Sequence, residues 1–385
     1  MPGDQPSNTS ARDAGAAVGT QGFGPLASTD PRVSLLADAC LPRRSSLTHC
    51  QACVDACPVN ALDISADGGP SLTGDCTGCG ACAVACPSEA LAVRGFPAPG
   101  EASLTAPAFR AVDCDRVPPE LSPQRTLRVP CMAGLQDDEL LALTRRAAPD
   151  ALELLERGWC ADCPVAGGHA RPIDEARQRA ERHLPGGNRP SPRVVRSPLP
   201  PAVAEPVRTG TSERHANSRR QFLRRVAGSD DSAPAPPSIA NPRALVQPER
   251  RWRLLDERQR AGVDAGSLLP AAVISDACCN HRVCAAVCPT GALTVSPGRD
   301  GLFFDPADCI QCGFCTAACP EQAIHIESTG GQPGRLTNHR QAQCQDCRRP
   351  FTPSGQHDVR CQSCEKSRHL ARGAFTQLFR PDPGQ

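Results

Sequence analysis

One phrase recurs four times in this chain and limits what it can become. Residues 50–64 read CQACVDACPVNALDI, 79–93 read CGACAVACPSEALAV, 281–295 read HRVCAAVCPTGALTV and 312–326 read CGFCTAACPEQAIHI. Each copy holds a C-x3-C-P core, then two variable residues, Ala, and Leu or Ile. The copies pair, with starts 29 residues apart in the first pair and 31 in the second. This is a repeat built of repeats, two similar modules of two halves each. The rest of the chain offers little to a large core. Aromatic residues make up 3%, tyrosine is absent, and the 385 residues include 40 prolines and 32 glycines. The 24 cysteines can supply the missing cross-links.

The kind of cross-link follows from context. The first thirty residues show no basic start followed by an apolar run, so no signal peptide is expected. No run of 18 apolar residues occurs, so no membrane span is expected either. In a cytoplasmic chain the cysteines should be thiolates on metal, not disulfides. A cubane iron–sulfur cluster needs four thiolates around a compact body. C-x2-C-x2-C in a tight loop wraps it from one side, and a fourth cysteine arrives from elsewhere. Proline after the last cysteine stops the loop from running on, and its missing N–H costs nothing there. Four surface zinc knuckles would explain neither the C-P residues nor the pairing.

These motifs resemble the bacterial two-cluster ferredoxins over roughly residues 38–95 and 272–328. In that family the C-P cysteine of each half ligates the other half's cluster. By position, the resemblance implies one cluster on Cys57, Cys76, Cys79 and Cys82. It implies a second on Cys50, Cys53, Cys86 and one more residue. Leu47 stands where the family has a cysteine, and Cys40, ten residues before Cys50, is the spare thiol. The second module repeats the scheme with Cys288, Cys309, Cys312 and Cys315. Its other cluster has Cys284 and Cys319, with His281 at the middle ligand position and Cys278 and Cys279 adjacent. Either both cysteines bind, or one binds with His281; a three-iron cluster is a further alternative. The total is about four [4Fe–4S] clusters. After each C-P cysteine a short helical turn leading to a strand is expected.

Residues 108–170 follow another pattern. Two strand-like runs end at Cys114 and Cys131, a third is expected to end at Cys160 and Cys163, and DDELLALTRRA reads as a helix with acidic residues in its first turn. Three runs that stop at a cysteine allow the thiols to converge at one sheet edge. The segments RVPCMAGL and GWCADCPVAGG resemble the small iron–sulfur domain of the methyl-viologen-reducing hydrogenase delta subunit. That resemblance implies a [2Fe–2S] or further iron–sulfur centre on these four cysteines and an electron-relay role.

From about 184 to 248 the chain is rich in Pro, Arg, Ser and Ala, which predicts a disordered tether. Within it, SRRQFLRR resembles a twin-arginine export motif but no apolar run follows, and it reads as an Arg-rich linker or docking segment. Near the end, Cys344-x2-Cys347-x13-Cys361-x2-Cys364 has the spacing of a four-thiolate Zn2+ ribbon. So short a unit would draw its folding energy from the metal.

The expected fold class is α+β: a disordered N-terminus (1–35), a two-cluster ferredoxin-like module (36–96), a small α/β iron–sulfur domain (105–182), a Pro/Arg-rich disordered linker (183–250), a second two-cluster module (270–330) and a zinc-ribbon-like tail (340–370). The two modules are expected to be tethered without sharing structure. No dinucleotide fingerprint, P-loop or nucleophile elbow is present, so the chain reads as a non-catalytic electron-transfer subunit of an oxidoreductase complex. The expected role is to relay electrons between a dehydrogenase of the formate dehydrogenase or hydrogenase type and another redox enzyme; the expected partners are flavin- or molybdenum-containing enzymes. The alternative is a redox-sensing, assembly or regulatory iron–sulfur protein whose zinc ribbon binds protein or nucleic acid. A net charge of +1 does not favour a nucleic-acid partner.

Overall fold

The computed structural model describes residues 24–27, 30–47, 49–66, 68–96, 109–166, 171–184, 191–206, 246, 248–263, 269–298, 300–353 and 359–378. The SRRQFLRR segment and most of the expected linker lie outside them.

The first module is framed by β1 (Gly24–Ala27), β2 (Asp30–Leu35), α1 (Leu41–Arg44), α2 (Ala52–Asp55), β3 (Leu62–Ile64), β4 (Pro70–Leu72), α3 (Ala81–Ala85) and β5 (Leu91–Val93). Strands β2 and β5 pair antiparallel, with Val33 opposite Val93, and β3 and β4 form a hairpin. Val33, Leu62 and Leu91 are buried against Cys53 and Cys82. The strands at Gly24–Ala27 and Asp30–Leu35 correct the expectation of disorder up to residue 35. Val33 and Leu35 alternate toward the module, a two-residue signal too brief to stand out.

The middle domain is a parallel sheet in the order β7-β6-β8-β9, from β6 (Ala111–Cys114), β7 (Thr126–Val129), β8 (Glu153–Glu156) and β9 (Arg193–Arg196). Helices α4 (Asp137–Ala147) and α5 (Pro172–His183) cover it. Leu140, Leu141, Leu143 and Ala147 of α4 pack on Val112, Val129 and Leu154. Two expectations change. The third strand ends at Glu156, and Cys160 opens a 3-10 turn beyond it. Strand β9 lies in the stretch expected to be linker, because its two β-branched valines and their parallel bonding to β8 give RVVR a place in the sheet.

Helix α6 (Glu249–Arg260) precedes the second module. That module comprises β10 (Ala271–Ile274), α7 (Val283–Val287), β11 (Leu293–Val295), β12 (Leu302–Phe304), α8 (Phe314–Ala318), β13 (Ile324–Glu327) and β14 (Gly334–Arg335). Its pairing repeats the first: β10 with β13 outside and β11 with β12 as the inner hairpin. The tail has a small hairpin, β15 (Ala342–Gln343) with β16 (Pro350–Phe351), and then α9 (Gln362–Leu378).

The modules are not merely tethered. Ala39, Cys40, Leu41 and Ala90 from the first share one apolar cluster with Ile310 and Phe314 from the second, and Val246 fills it. Helix α6 ties three units together. The Arg250 backbone N–H donates to Glu89 Oε1 at 2.9 Å and its guanidinium to the Ala83 carbonyl at 3.1 Å. Arg251 donates to the Ala307 carbonyl at 3.0 Å, and Trp252 Nε1 to Asp308 Oδ1 at 2.8 Å. Arg253 reaches Asp138 of α4 at 2.8 Å, and Glu257 accepts from Arg145 at 2.6 Å. Trp252, Leu254 and Leu255 among arginines were the only sequence hint of this helix.

Candidate iron–sulfur sites

After each C-P cysteine a turn or bend leads to a strand, as expected, while the short helices themselves lie before those cysteines. The residue before a proline is pushed out of the helical region; Cys86, Cys288 and Cys319 are extended, with ψ of 110, 114 and 114°. Helices α3 and α8 begin at left-handed Gly80 and Gly313, and α7 at left-handed Arg282. The position of the alanine has a backbone role in three of the four phrases. Backbone N–H groups of Ala61, Ala90 and Ala323 donate to the sulfurs of Cys57, Cys86 and Cys319 at 3.2, 3.2 and 3.3 Å. Leu293 N–H does the same for Cys288 at 3.5 Å. The phrase thus encodes one N–H···S bond per half, the type of contact that tunes a cluster's potential.

The fold sorts the thiols into sets. Cys40, Cys50, Cys53 and Cys86 face one another, so the excursion from Cys40 returns to its module. Cys57, Cys76, Cys79 and Cys82 line one small cavity, and Cys288, Cys309, Cys312 and Cys315 line its counterpart. Cys278 joins Cys284 and Cys319. Its neighbour Cys279 stands beside that set, near enough to feel the charges of Cys278 and Cys319, and its sulfur also lies within 4.8 Å of donor atoms of His281 and Glu321. In the middle domain Cys114, Cys131, Cys160 and Cys163 converge. Three of them follow strand ends, so the parallel sheet delivers them to its carboxyl edge. In the tail, the sulfurs of Cys344, Cys347, Cys361 and Cys364 lie within 4.8 Å of one another. No cysteine is in a disulfide.

Whether these sets fit iron and sulfide is a question of donor chemistry. Burial, then repulsion from neighbouring thiolates, pushes the Cys53 thiol up to about 12. Burial does the same to Cys312, up to about 12, and to Cys284 and Cys309, up to about 11. Buried thiols crowded together resist ionisation unless a cation compensates them, and metal binding replaces those protons. Together with backbone N–H donors already aimed at five of the module sulfurs, Gly78 N–H to Cys76 at 3.4 Å being the fifth, the sets fit clusters. In the tail the balance is different: backbone N–H groups of Cys347 and Cys361 depress the Cys344 thiol.

The middle domain sits directly on the first module. Cys79, Cys131 and Cys163 belong to one buried cluster with Val165 and Ala166, and Thr77 Oγ1 donates to the Val165 carbonyl at 3.2 Å.

Two repeated modules with these thiol sets define an iron–sulfur protein of the dicluster type. The comparisons agree. Residues 48–90 and, separately, 277–324 each match a 4Fe-4S dicluster domain. Ferredoxin 7Fe of Hydrogenibacillus schlegelii is 39% identical over 59 residues, 15% of this chain and 73% of that protein. Ferredoxin-1 of Caulobacter vibrioides is 32% identical over 65 residues, 16% of this chain and 56% of that protein. No solved structure matches. The chain belongs to the ferredoxin family, as a two-module iron–sulfur electron-transfer protein. Among the described residues no helix is long and apolar enough to cross a membrane.

Proposed function

We propose that the chain is a relay that carries electrons along one continuous series of centres. The order is the middle-domain set (Cys114, Cys131, Cys160, Cys163), then Cys57/Cys76/Cys79/Cys82, then Cys40/Cys50/Cys53/Cys86, then Cys288/Cys309/Cys312/Cys315, and last Cys278/Cys284/Cys319. The observation that carries this reading is the pair of shared apolar clusters. One holds Cys79 with Cys131 and Cys163; the other packs Cys40, Cys50 and Cys86 against Cys312. Bound clusters supply reversible one-electron chemistry. The polypeptide's part is to fix their spacing, keep water away with Ala, Val and Leu, and set potentials through the N–H···S bonds.

A zinc ion in the tail and an iron–sulfur centre in the middle domain complete the proposal. The resemblance of the middle domain to the hydrogenase delta subunit supports a role as adaptor between a formate dehydrogenase- or hydrogenase-type enzyme and a second redox enzyme; that step is analogy. Anaerobically prepared protein should carry iron for three cubanes, a fourth cluster held by the three thiols of the last set, and the middle centre. After reduction, its paramagnetic resonance should show signals broadened by mutual interaction across the modules. Iron near zero with zinc in every set would refute the reading, and so would signals that behave as isolated centres.

A further inference from the structure

The loop Cys278-Cys279-Asn280-His281-Arg282 carries two donors, Cys279 and His281, that meet a third, Glu321, from outside the loop. Cys279 Sγ, a ring nitrogen of His281 and a carboxylate oxygen of Glu321 lie mutually within 4.8 Å, and His281 Nε2 is 3.1 Å from Glu321 Oε1. The loop backbone turns left-handed at both Asn280 and Arg282, on either side of His281. Glu321 reaches the same point from the turn after Cys319-Pro320.

We propose that Cys279, His281 and Glu321 bind a mononuclear Zn2+, distinct from the neighbouring thiol set and from the tail. The donors are one thiolate, one imidazole and one carboxylate, the three side-chain types that zinc accepts. Three protein ligands leave a fourth tetrahedral position, the pattern of an open zinc site. The three residues line a cavity of about 740 Å³ whose walls also include Arg349, Phe351, Cys347 and Cys361 of the tail. Asn280 Nδ2 donates to Thr352 Oγ1 at 2.8 Å, which holds the tail hairpin against the loop. The site would take a small anionic or thiolate ligand entering through that cavity. It also assigns His281 a role outside the cluster beside it, leaving Cys278, Cys284 and Cys319 as that cluster's thiols.

The test uses the full chain with its clusters assembled anaerobically, titrated with Co2+ as a spectroscopic stand-in for Zn2+. The expected result is two equivalents bound, both with sulfur-to-cobalt absorption. Cys347→Ser should abolish one of them. Glu321→Gln should weaken the other more than tenfold, and Cys279→Ser should remove its sulfur-to-cobalt band. Neither of the last two should change iron content or the resonance signals of the clusters. A single equivalent that vanishes with Cys347→Ser overturns the proposal. Loss of iron in Cys279→Ser or in His281→Ala also overturns it, by assigning these side chains to the cluster.

Discussion

The most exacting test of the middle domain is the substitution Arg157→Ala. Asp113 is fully buried and stands immediately before Cys114 on the central strand β6. Arg157 grips it with two parallel bonds, Nε to Oδ1 at 3.1 Å and an Nη to Oδ2 at 2.6 Å. The same guanidinium donates to the Ser197 carbonyl at 3.1 Å and to its hydroxyl at 2.9 Å, linking β6 to the chain beyond β9. Ser122 Oγ donates to Asp113 Oδ2 at 2.8 Å. Removing Arg157 leaves a carboxylate with a hydroxyl and a backbone N–H but no counter-charge. Breaking a buried pair from one side costs about 3–5 kcal/mol. For a domain of this size each kcal/mol moves the melting point by roughly 4–8 °C. Urea unfolding followed by tryptophan fluorescence is the assay: of the chain's two tryptophans, buried Trp159 lies in this domain, and Trp252, bonded to Asp308, reports on the second module. The double variant Asp113→Leu/Arg157→Met should recover most of the loss, because a hydrophobic pair of similar volume is often neutral. A loss below about 1 kcal/mol in Arg157→Ala would refute the reasoning, since an exposed pair behaves that way. A double variant as unstable as the single would refute it too.

Two further outcomes are expected. Arg250→Ala/Arg251→Ala removes charged donors worth about 1.5–3 kcal/mol each; it should leave iron content unchanged while weakening the magnetic interaction between the modules, and an unaltered resonance spectrum would deny α6 its role as a clamp. Glu139 is buried, and burial followed by the adjacent Asp138 pushes its carboxyl up to about 8. A carboxyl raised in the folded state holds its proton longer than in the unfolded chain, so its contribution is undiminished below pH ~4.5 and is eroded as pH rises toward 8. Glu139→Gln should therefore stabilise the protein at pH 8 and do little at pH 4.5, by thermal unfolding; an equal effect at both pH values would contradict this.

Much of the chemistry was legible because cysteine spacing is a local code. C-x2-C-x2-C and C-P fix which thiols lie together regardless of distant packing, and Cys40 was recoverable by elimination. What was hidden depends on long-range contact. Strand β9 exists because β8 offers it a parallel edge, and its own four residues RVVR sit among prolines and arginines. Helix α6 looked like more of the same arginine-rich stretch; its arginines are informative only once Glu89, Asp138 and the carbonyls of Pro306 and Ala307 are seen around it. The meeting of Cys279 and His281 with Glu321 depends on backbone torsions and a long-range contact that the sequence does not display.

The contact between the middle domain and the first module shows how spacing is set physically. Gly80, which starts α3, and Gly134, just after Cys131, meet beneath the ring of Phe96. A Cβ on Gly80 would fall 2.7 Å from Gly134 Cα, and one on Gly134 would fall 2.5 Å from the Cys79 carbonyl oxygen. Since real Cβ atoms do not approach so closely, any larger residue at either position must push the two backbones apart. The displaced backbones are those that carry Cys79 on one side and Cys131 on the other. The interval between these two thiols is therefore governed by two absent side chains, and in a protein whose work is transfer between fixed centres, that interval is a functional quantity as much as the thiols themselves.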